Sequence, residues 1–177
     1  MGVTTDPVFF GLQSWLNTPE NEEQVFFYEA EHYYLSNFSA FAIRFNGLLW
    51  MTAEHLYQAH KFFWLKDGKI ADMIFHAPSA HEAKQIAKAH KDKIFPEFEQ
   101  VKLVIMEAIL RAKIEQHSYV LKMLLKTSDA ILIEDSSKDA FWGRGPDFQG
   151  MNHLGRIWMK LRAEKMILFP QEKQGGC

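Results

Sequence analysis

Residues 41–50 carry two short apolar runs around a strong turn signal. The runs are FAIRF and LLW, and the dipeptide between them is Asn46-Gly47. Asn-Gly suits a two-residue type I′ turn, because both turn residues need a positive φ angle. The pattern therefore predicts a β-hairpin at this point of the chain.

Longer segments have the apolar spacing of helices that bury one face. Thr52 is a suitable N-cap, and no helix breaker follows it before Gly68. The pattern predicts a helix from about 53 to 65. It also predicts helices over residues 79–90, 96–114, 118–126 and 152–166, the last with Asn152 as its N-cap.

One further segment is typical of a buried strand. Residues 130–134, AILIE, are rich in β-branched side chains and lead into the polar stretch DSSKD. Together these elements predict an α+β fold, a predominantly helical single domain with a small β-sheet. We expect this domain to span residues 25–168, between an N-terminal extension (1–24) and a C-terminal tail (169–177).

Composition agrees with one domain and restricts its partners. The chain has 177 residues, of which 47% are hydrophobic and 14% aromatic, so it can bury a sizeable core. Its 20 Lys and Arg residues against 22 Asp and Glu residues give a formal net charge of −2. A positive surplus typical of binding to a nucleic-acid backbone is missing, so that partner is disfavoured.

The sequence also bears on compartment, metals and cofactors. The only cysteine is Cys177, which permits no internal disulfide and no cysteine-based zinc site. No secretory leader and no run of about 18 apolar residues occur, so we expect a cytoplasmic protein without membrane contact. The eight histidines lack tight ligand spacing, and no phosphate-binding glycine motif is present. We therefore predict no metal and no cofactor.

A polar stripe on the first predicted helix is the first candidate site. Glu54, Tyr57, Gln58 and Lys61 recur at i, i+3, i+4 and i+7 and share one face. Spacing alone leaves two alternatives, a solvated surface or a binding face. Because the helix dipole favours a charged carboxylate in the first turn, we expect Glu54 to be ionised and to act as a base or stabilise a cation.

An acidic loop after the predicted strand is the second candidate. Glu134 and Asp139 precede Trp142 and Gly143 in the segment IEDSSKDAFWGRG. Loops that follow strand ends often hold functional sites, and Gly143 would let a ligand approach the backbone closely. The alternative is an ordinary acidic turn with Trp142 in the core.

The start of the last predicted helix is a third candidate. Asn152, His153 and Arg156 lie where helix N–H groups and an arginine could hold a phosphate. This signal is unspecific, because every helix has such an end.

Four motifs, taken in order, resemble those of a known family. They are S-N-F at 36–38, T-A-E-H-x-Y-Q-x-x-K at 52–61, D-x-x-W-G at 139–143 and N-x-L-G at 152–155. The chain resembles the NADAR (YbiA-like) family from about Phe26 to Arg162. The resemblance implies a mainly helical α+β fold. For the YbiA-like branch it also implies an N-glycosidase that hydrolyses phosphoribosylamino-pyrimidine intermediates of riboflavin biosynthesis, releases ribose 5-phosphate and so removes reactive metabolites.

The resemblance also implies rivals and a set of site residues. The rivals are an ADP-ribosyl hydrolase acting on modified guanine in nucleic acid, and a non-catalytic module that binds NAD or ADP-ribose. Matching positions are Ser36, Asn37, Phe38, Trp50, Glu54, His55, Tyr57, Gln58, Lys61, Glu134, Asp139, Trp142, Gly143, Asn152 and Gly155. The expected partner is a small ribosyl phosphate, and the oligomeric state is left open.

These inferences combine into a predicted mechanism. An ionised Glu54 would stabilise the positive sugar as the C–N bond breaks, while Asp139 or Glu134 would move a proton. Lys61, the fourth predicted catalytic residue, would hold the phosphate or form a Schiff base. Trp142 would stack on the pyrimidine, and Arg44 or Arg156 could hold the phosphate. The predicted binding residues are Asn37, Phe38, Arg44, Trp50, His55, Gln58, Trp142, Gly143, Asn152 and Arg156.

Overall fold

A computed structural model describes residues 23–28 and 32–168 of the chain. The predicted tail at 169–177 and residues 1–22 of the predicted extension lie outside these residues. The fold is α+β and mainly helical, as predicted. Its strands and helices are β1 (Gln24–Phe27), β2 (Ile43–Phe45), β3 (Leu48–Trp50), α1 (Ala53–His60), α2 (Lys69–Phe75), α3 (Ala80–Ala89), α4 (Phe98–Gln116), α5 (Ser118–Lys126), β4 (Ile131–Glu134) and α6 (His153–Leu168). Among the helices described, none has the length and apolar character needed to cross a membrane.

The predicted hairpin is present. β2 and β3 pair antiparallel with Ile43 opposite Trp50. The turn residues Asn46 and Gly47 have φ angles of 48° and 79°, the left-handed conformations that a type I′ turn requires. Trp50 is buried, so the second strand fixes the hairpin to the core.

The predicted helices are present, and only the first differs by more than two residues at an end. The Thr52 side chain caps α1, as predicted, by accepting a hydrogen bond from the first turn. The helix was expected to reach residue 65 but stops at His60. The carbonyl of Lys61 accepts from the amide of Phe95, in the segment before α4, at 3.0 Å instead of from a helical amide.

Two elements were not predicted. α2 follows Gly68, the N-cap residue of this helix, which has a φ angle of 61°. In the sequence, Gly68 indicated only the end of a preceding helix. β1 pairs parallel with β4, from Gln24 opposite Ile131 onward. Within the described residues, the small sheet is thus two separate two-stranded sheets. β1 has only four residues, at the edge of the predicted extension, and so gives little periodic signal. Its partner strand, β4, lies far along the chain.

The junction of β4 with α6 corrects the prediction that the Asn152 side chain caps the helix. That side chain bonds the strand instead: Oδ1 accepts from Glu134 N at 3.0 Å, and Nδ2 donates to Leu132 O at 2.9 Å. The backbone carbonyl of Asn152 accepts the helical bond from Arg156 N. Asn152 therefore fixes the end of β4, and Glu134 with it, against the start of α6.

The core lies between α1, α4, β4 and α6. α1 packs on α3 and α4, while α6 packs on β4 and α4. Trp158 of α6 is fully buried, and its indole N–H donates to Leu35 O at 2.9 Å. This packing brings the polar face of α1, the first half of α4 and the carboxyl end of β4 to one side of the molecule.

Candidate active site

A cavity of about 290 Å³ opens where α1, α3, α4 and the end of β4 meet. Its volume is at the lower end of the range for small-molecule sites, roughly 300 to 1,000 Å³. Its walls are acidic, basic and aromatic. The polar lining residues are Asn37, Glu54, Tyr57, Gln58, Lys61, Lys84, Glu99, Lys102, Glu134, Ser136 and Asp139, and the apolar ones include Phe38, Phe98, Met106, Phe141 and Trp142.

The polar stripe of α1 faces this cavity, so the alternative of a solvated surface is wrong. Glu54, Tyr57, Gln58 and Lys61 all line it, and the first three are at most 5% exposed. Gln58 Nε2 donates to Glu54 Oε1 at 2.7 Å, which orients both side chains. Gln58 Oε1 is buried without a hydrogen-bond partner in the described part of the chain, so it can accept from a ligand.

The electrostatics of Glu54 differ from the sequence-based expectation. Burial raises the pKa of Glu54, although Lys84, the Gln58 hydrogen bond and Lys61 oppose the rise; the charge of Asp139 adds to it. The expectation of an unshifted, ionised carboxylate rested on the helix dipole alone. Loss of hydration in the cavity outweighs that dipole, which typically contributes only about 0.3 to 1 kcal/mol.

Glu134 ends β4 and is the second buried carboxyl group of the cavity. It is 6% exposed, and among the described residues its Oε2 has no hydrogen-bond partner. Burial, together with the charges of Glu54 and Asp139, raises the pKa of Glu134 to about 8. The group is therefore mostly protonated at neutral pH and can donate a proton.

Asp139 and Trp142 belong to the loop that folds back over this carboxyl pair. Asp139 Oδ1 accepts from the amides of Phe141 and Trp142 at 3.0 and 2.8 Å. Trp142 packs edge-to-face against Tyr57 and Phe141, with centroid separations of 5.5 and 5.0 Å. It is half-buried, so it contributes to the core and to the cavity wall together.

Lysines from three helices face the acidic groups. They are Lys61 at the end of α1, Lys84 of α3 and Lys102 of α4. Burial lowers the pKa of Lys61, and its ammonium lies 5.2 Å from the ring centroid of Tyr57. Lys102 Nζ donates to Glu99 Oε2 at 2.6 Å, so that lysine is held near the cavity. The arrangement can bind an anionic group.

Lys84 and Lys102 were missed as site residues. Each belongs to a segment whose charges look like an ordinary solvated helix face. A usable signal exists in α4, where Phe98, Lys102 and Met106 recur every four residues and so share one face. Only packing shows that this face meets the polar stripe of α1.

Residues 36–39, which we name the pocket turn, supply another wall. Asn37 and Phe38 line the cavity, as predicted for binding residues. Asn37 Nδ2 donates to Met106 Sδ at 3.3 Å, and Asn37 O accepts from Glu54 N at 3.0 Å. Asn37 Oδ1 is buried and has no partner within the described residues, so it adds a second acceptor for a ligand.

Comparison with known proteins assigns a family to this cavity. The family model described as the NADAR domain matches residues 26–165. The chain belongs to the NADAR family. The match spans all four motifs and every element from β2 to β4.

Several NADAR relatives are named for one activity. N-glycosidase Npun_R5314 of Nostoc punctiforme is 36% identical over 142 residues, covering 79% of this chain and 91% of that protein. N-glycosidase YbiA of Escherichia coli is 37% identical over 132 residues, covering 75% and 81%. Riboflavin biosynthesis protein VVA0006 of Vibrio vulnificus is 35% identical over 145 residues, which are 81% of this chain and 39% of that longer protein.

A solved structure of the family has the same fold. The NMR structure of Escherichia coli YbiA matches with a TM-score of 0.75 and 32% identity, covering 88% of this chain and 92% of that one. The predicted family and fold class are thereby confirmed. The names of the relatives confirm an N-glycosidase type of hydrolase, the coarser part of the predicted function.

His55, predicted to bind substrate, has a different place in this NADAR protein. It is fully buried, and its ring nitrogens bond Thr52 Oγ1 and Ala77 O at 2.8 and 3.1 Å. Adjacent residues of a helix point about 100° apart, so His55 cannot share the face of Glu54. The structure corrects this prediction: His55 ties the start of α1 to the segment before α3.

Two more predicted binding residues lie on the hairpin, away from the NADAR cavity. Trp50 is buried and packs against Phe63 and Phe75 at centroid separations of 5.9 and 5.0 Å. Arg44 is exposed, and its backbone N–H and carbonyl bond the Gln116 side chain. The structure therefore corrects both predictions, because the hairpin packs on the far end of α4 from the cavity.

The side chains of the third candidate site, Asn152, His153 and Arg156, do not line the cavity, although Leu154 beside them does. The Asn152 side chain binds β4, and Arg156 is half-buried elsewhere on α6. Gly143 is needed for packing, since a Cβ atom there would lie 2.8 Å from Glu134 O. Asn152 and Gly143 therefore position the acidic loop and β4.

The acidic residues of the cavity were also compared with the arrangement that a metal ion needs. In residues 23–28 and 32–168, no group of three or more His, Cys, Asp or Glu side chains could hold a metal ion. Oxygens of Glu54 and Asp139 are already used by Gln58 and by loop amides. The NADAR cavity suits an organic ligand that carries a negative group and hydrogen-bond donors.

Proposed function

We propose that the chain is an N-glycosidase that hydrolyses the C–N glycosidic bond of phosphoribosylamino-pyrimidine intermediates of riboflavin biosynthesis, releasing ribose 5-phosphate. The observation that carries this proposal is the pair of buried carboxyl groups, Glu54 and Glu134, in one cavity with lysines and Trp142. Relatives named for N-glycosidase activity and for riboflavin biosynthesis support it.

Cleavage of a ribosyl C–N bond places opposite demands on the two carboxyl groups. Positive charge builds on the sugar, and the departing amine needs a proton. Glu134 meets the second demand, because its raised pKa keeps it protonated near neutral pH. Glu54 would meet the first demand in its carboxylate form, which Lys84, Gln58 and Lys61 favour, although burial leaves the pKa of Glu54 raised.

Asp139 supports the role of Glu134 through its charge. Its carboxylate raises the pKa of both Glu54 and Glu134. Two loop amides hold Asp139 Oδ1, so the charge stays close to the pair. Asp139 thereby keeps a proton on Glu134 until the leaving amine takes it.

The remaining walls match the other parts of the substrate. Lys84 and Lys102 would bind the phosphate, because both line the cavity, whereas Arg44 and Arg156 do not. Trp142 and Phe38 offer aromatic faces or edges to the pyrimidine. The free acceptors Asn37 Oδ1 and Gln58 Oε1 would take hydrogen bonds from sugar hydroxyl or pyrimidine amino groups.

Lys61 permits a second route for the same overall reaction. Burial lowers the pKa of Lys61, which increases the fraction of neutral amine that can attack the sugar carbon. The Lys61 amine would attack the sugar carbon and displace the aminopyrimidine, and opening of the sugar ring would give an imine between Lys61 and the sugar. Water would then hydrolyse this imine, which releases the sugar and restores the lysine. Borohydride reduction would trap that imine as a stable adduct at Lys61, detectable by mass spectrometry. Turnover without any adduct would instead support direct hydrolysis by water.

Product release from two substrates tests the proposed function. Purified protein would be incubated with a phosphoribosylamino-pyrimidine and, separately, with ADP-ribosylated guanosine. We expect ribose 5-phosphate from the first; turnover of the second alone would instead support the ADP-ribosyl hydrolase. Tight ADP-ribose binding without turnover would support a binding module.

Glu54→Gln tests the role of the first carboxylate. We expect the variant to fold and to release ribose 5-phosphate on the order of 100-fold more slowly, because an amide cannot stabilise the sugar cation or activate water. Asp139→Asn should also lower the rate and move the loss of activity at high pH to a lower pH. Full activity of folded Glu54→Gln would exclude the assignment.

A further inference from the structure

Lys113 of α4 is a buried cation that the proposed mechanism does not use. It is 0% exposed and lies outside the cavity, although Phe98, Lys102 and Met106 of the same helix line it. Burial removes the hydration of an ammonium group, so an apolar side chain would suit this core position better unless the charge is used. The contacts of Lys113 indicate what that use is.

The Lys113 ammonium binds both ends of the pocket turn. Nζ donates to Ser36 O at 2.9 Å and to Ser39 Oγ at 2.8 Å. Ser39 Oγ in turn donates to Ser36 O at 2.7 Å, which closes the turn. The rings of Phe41 and Trp158, with centroids 5.4 and 5.8 Å from Nζ, offset part of the lost hydration by cation–π contact.

The two residues between these serines belong to the cavity. Asn37 and Phe38 line it, and Asn37 O accepts from the amide of Glu54. The same helix contacts the turn a second time through Met106 Sδ, seven residues before Lys113. The positions of Asn37 and Phe38 therefore depend on α4 contacts made behind the turn, away from the ligand.

We propose that Lys113 is a positioning residue for substrate binding. Its ammonium holds Ser36 and Ser39 together and thereby places Asn37 and Phe38 in the cavity wall. The kinetic part of this inference rests on the proposed N-glycosidase function, while its structural part can be measured without turnover.

The charge of Lys113 also acts on Glu134. Burial lowers the pKa of Lys113 to about 7, and the charge of Glu134 opposes that shift. The other groups that act on Glu134 are Glu54 of α1, Lys84 of α3, and Asp135 and Asp139 of the loop. Because Lys113 is mostly neutral at the pH where Glu134 titrates, its removal should leave the loss of activity at high pH nearly unchanged.

Lys113→Met tests the proposal, because methionine is an unbranched side chain only one atom shorter than lysine and lacks its charge and donors. We expect KM for a phosphoribosylamino-pyrimidine to rise about tenfold or more, with a smaller change in kcat. Hydrogen exchange at the Phe38 and Ser39 amides should accelerate by about tenfold, measured by NMR. Lys122→Met, on an exposed site of α5, is the matched control and should change neither value. Wild-type KM and exchange in Lys113→Met would overturn the proposal.

Ser39→Ala provides a second variant should Lys113→Met fail to fold. It removes one acceptor and keeps the ammonium, so KM and exchange should change in the same direction but less, with no shift of the alkaline limit. Unchanged KM and unchanged amide exchange in folded Ser39→Ala would count against the positioning role of Lys113. Amide exchange and calorimetric binding of ribose 5-phosphate need no turnover. They therefore distinguish failure of the positioning role from failure of the proposed function, in which the wild type releases no ribose 5-phosphate.

Discussion

At the scale of single residues, Glu134 combines a chemical role with a cost in stability. Burial beside Glu54 and Asp139 raises its pKa to about 8. In the unfolded chain a glutamate has a pKa of about 4.3, so the folded chain binds the proton more tightly. The stability from this group is therefore complete below about pH 4.3 and is lost as the pH rises through the folded-state pKa.

Glu134→Gln should consequently stabilise the fold at alkaline pH. The amide cannot ionise, so the variant keeps the stability that the wild type loses. We expect its Tm to exceed that of the wild type at about pH 8, by about 2 to 4 °C for each kcal/mol retained, and by much less at about pH 5. Thermal unfolding at both pH values measures this; an equal difference at both would contradict a raised pKa.

The same residue predicts the pH dependence of catalysis. As the general acid, Glu134 must be protonated, so kcat/KM should fall as the pH rises above about 8. Glu134→Gln should reduce kcat on the order of 100-fold or more and remove this limb. Ribose 5-phosphate release measured across the pH range tests it. An alkaline limb that persists in the variant would assign the limb to another group.

At the scale of elements, the contact of α6 with β4 places the acid. Gly155 lies in the first turn of α6, where a Cβ atom would be 2.1 Å from Leu132 O and 2.6 Å from Asn152 Oδ1. Its missing side chain lets the helix approach the strand closely enough for Asn152 to hold the backbone of Glu134. The N-x-L-G motif thus acts on the site through packing.

Gly155→Ala should therefore destabilise the protein by about 3 kcal/mol, because the backbone of Leu132 and the side chain of Asn152 must both move. Gly68→Ala is a suitable comparison: its φ is 61°, but no atom lies within 4 Å of the added carbon. That variant should lose only about 1 kcal/mol through backbone strain. Urea unfolding measures both. Equal losses would show that close packing against β4 is not what requires Gly155.

At the scale of the whole molecule, the cavity joins cations that are distant in the chain. Lys61, Lys84 and Lys102 come from α1, α3 and α4, and they meet because α1 packs on both other helices. Their convergence beside buried carboxyl groups is what the proposed substrate would require, with its negative phosphate and a reacting centre that becomes positive.

Loss of these lysines should weaken binding of the phosphate specifically. We expect Lys84→Ala and Lys102→Ala each to raise KM for the phosphorylated substrate about tenfold, as for the loss of a charged hydrogen bond. Neither should change KM for the same compound without its phosphate. Arg44→Ala, on the exposed strand β2, is the control and should leave both values unchanged. An equal KM increase for both compounds would place the phosphate elsewhere.

Local chemistry made much of the fold predictable. Asn46-Gly47 and Thr52 act through their own backbone neighbourhood, so the hairpin turn and the start of α1 were predicted correctly. The features that were not predicted depend on residues distant in the chain. α1 stops at His60, next to the bond between Lys61 O and Phe95 N, and β1 forms by pairing with β4. Such partners leave no local periodic signal.

The sequence by itself determined the family, five of the six α-helices described, and the face of α1 that carries Glu54, Tyr57, Gln58 and Lys61, because these follow from spacing and motif order. Only the tertiary structure decided that this face is buried in a cavity and that Lys84 and Lys102 join it. It also separated residues that shape the site from those that line it. Burial, which local sequence does not specify, is what gives Glu54 and Glu134 raised pKa values, since packing alone removes their water.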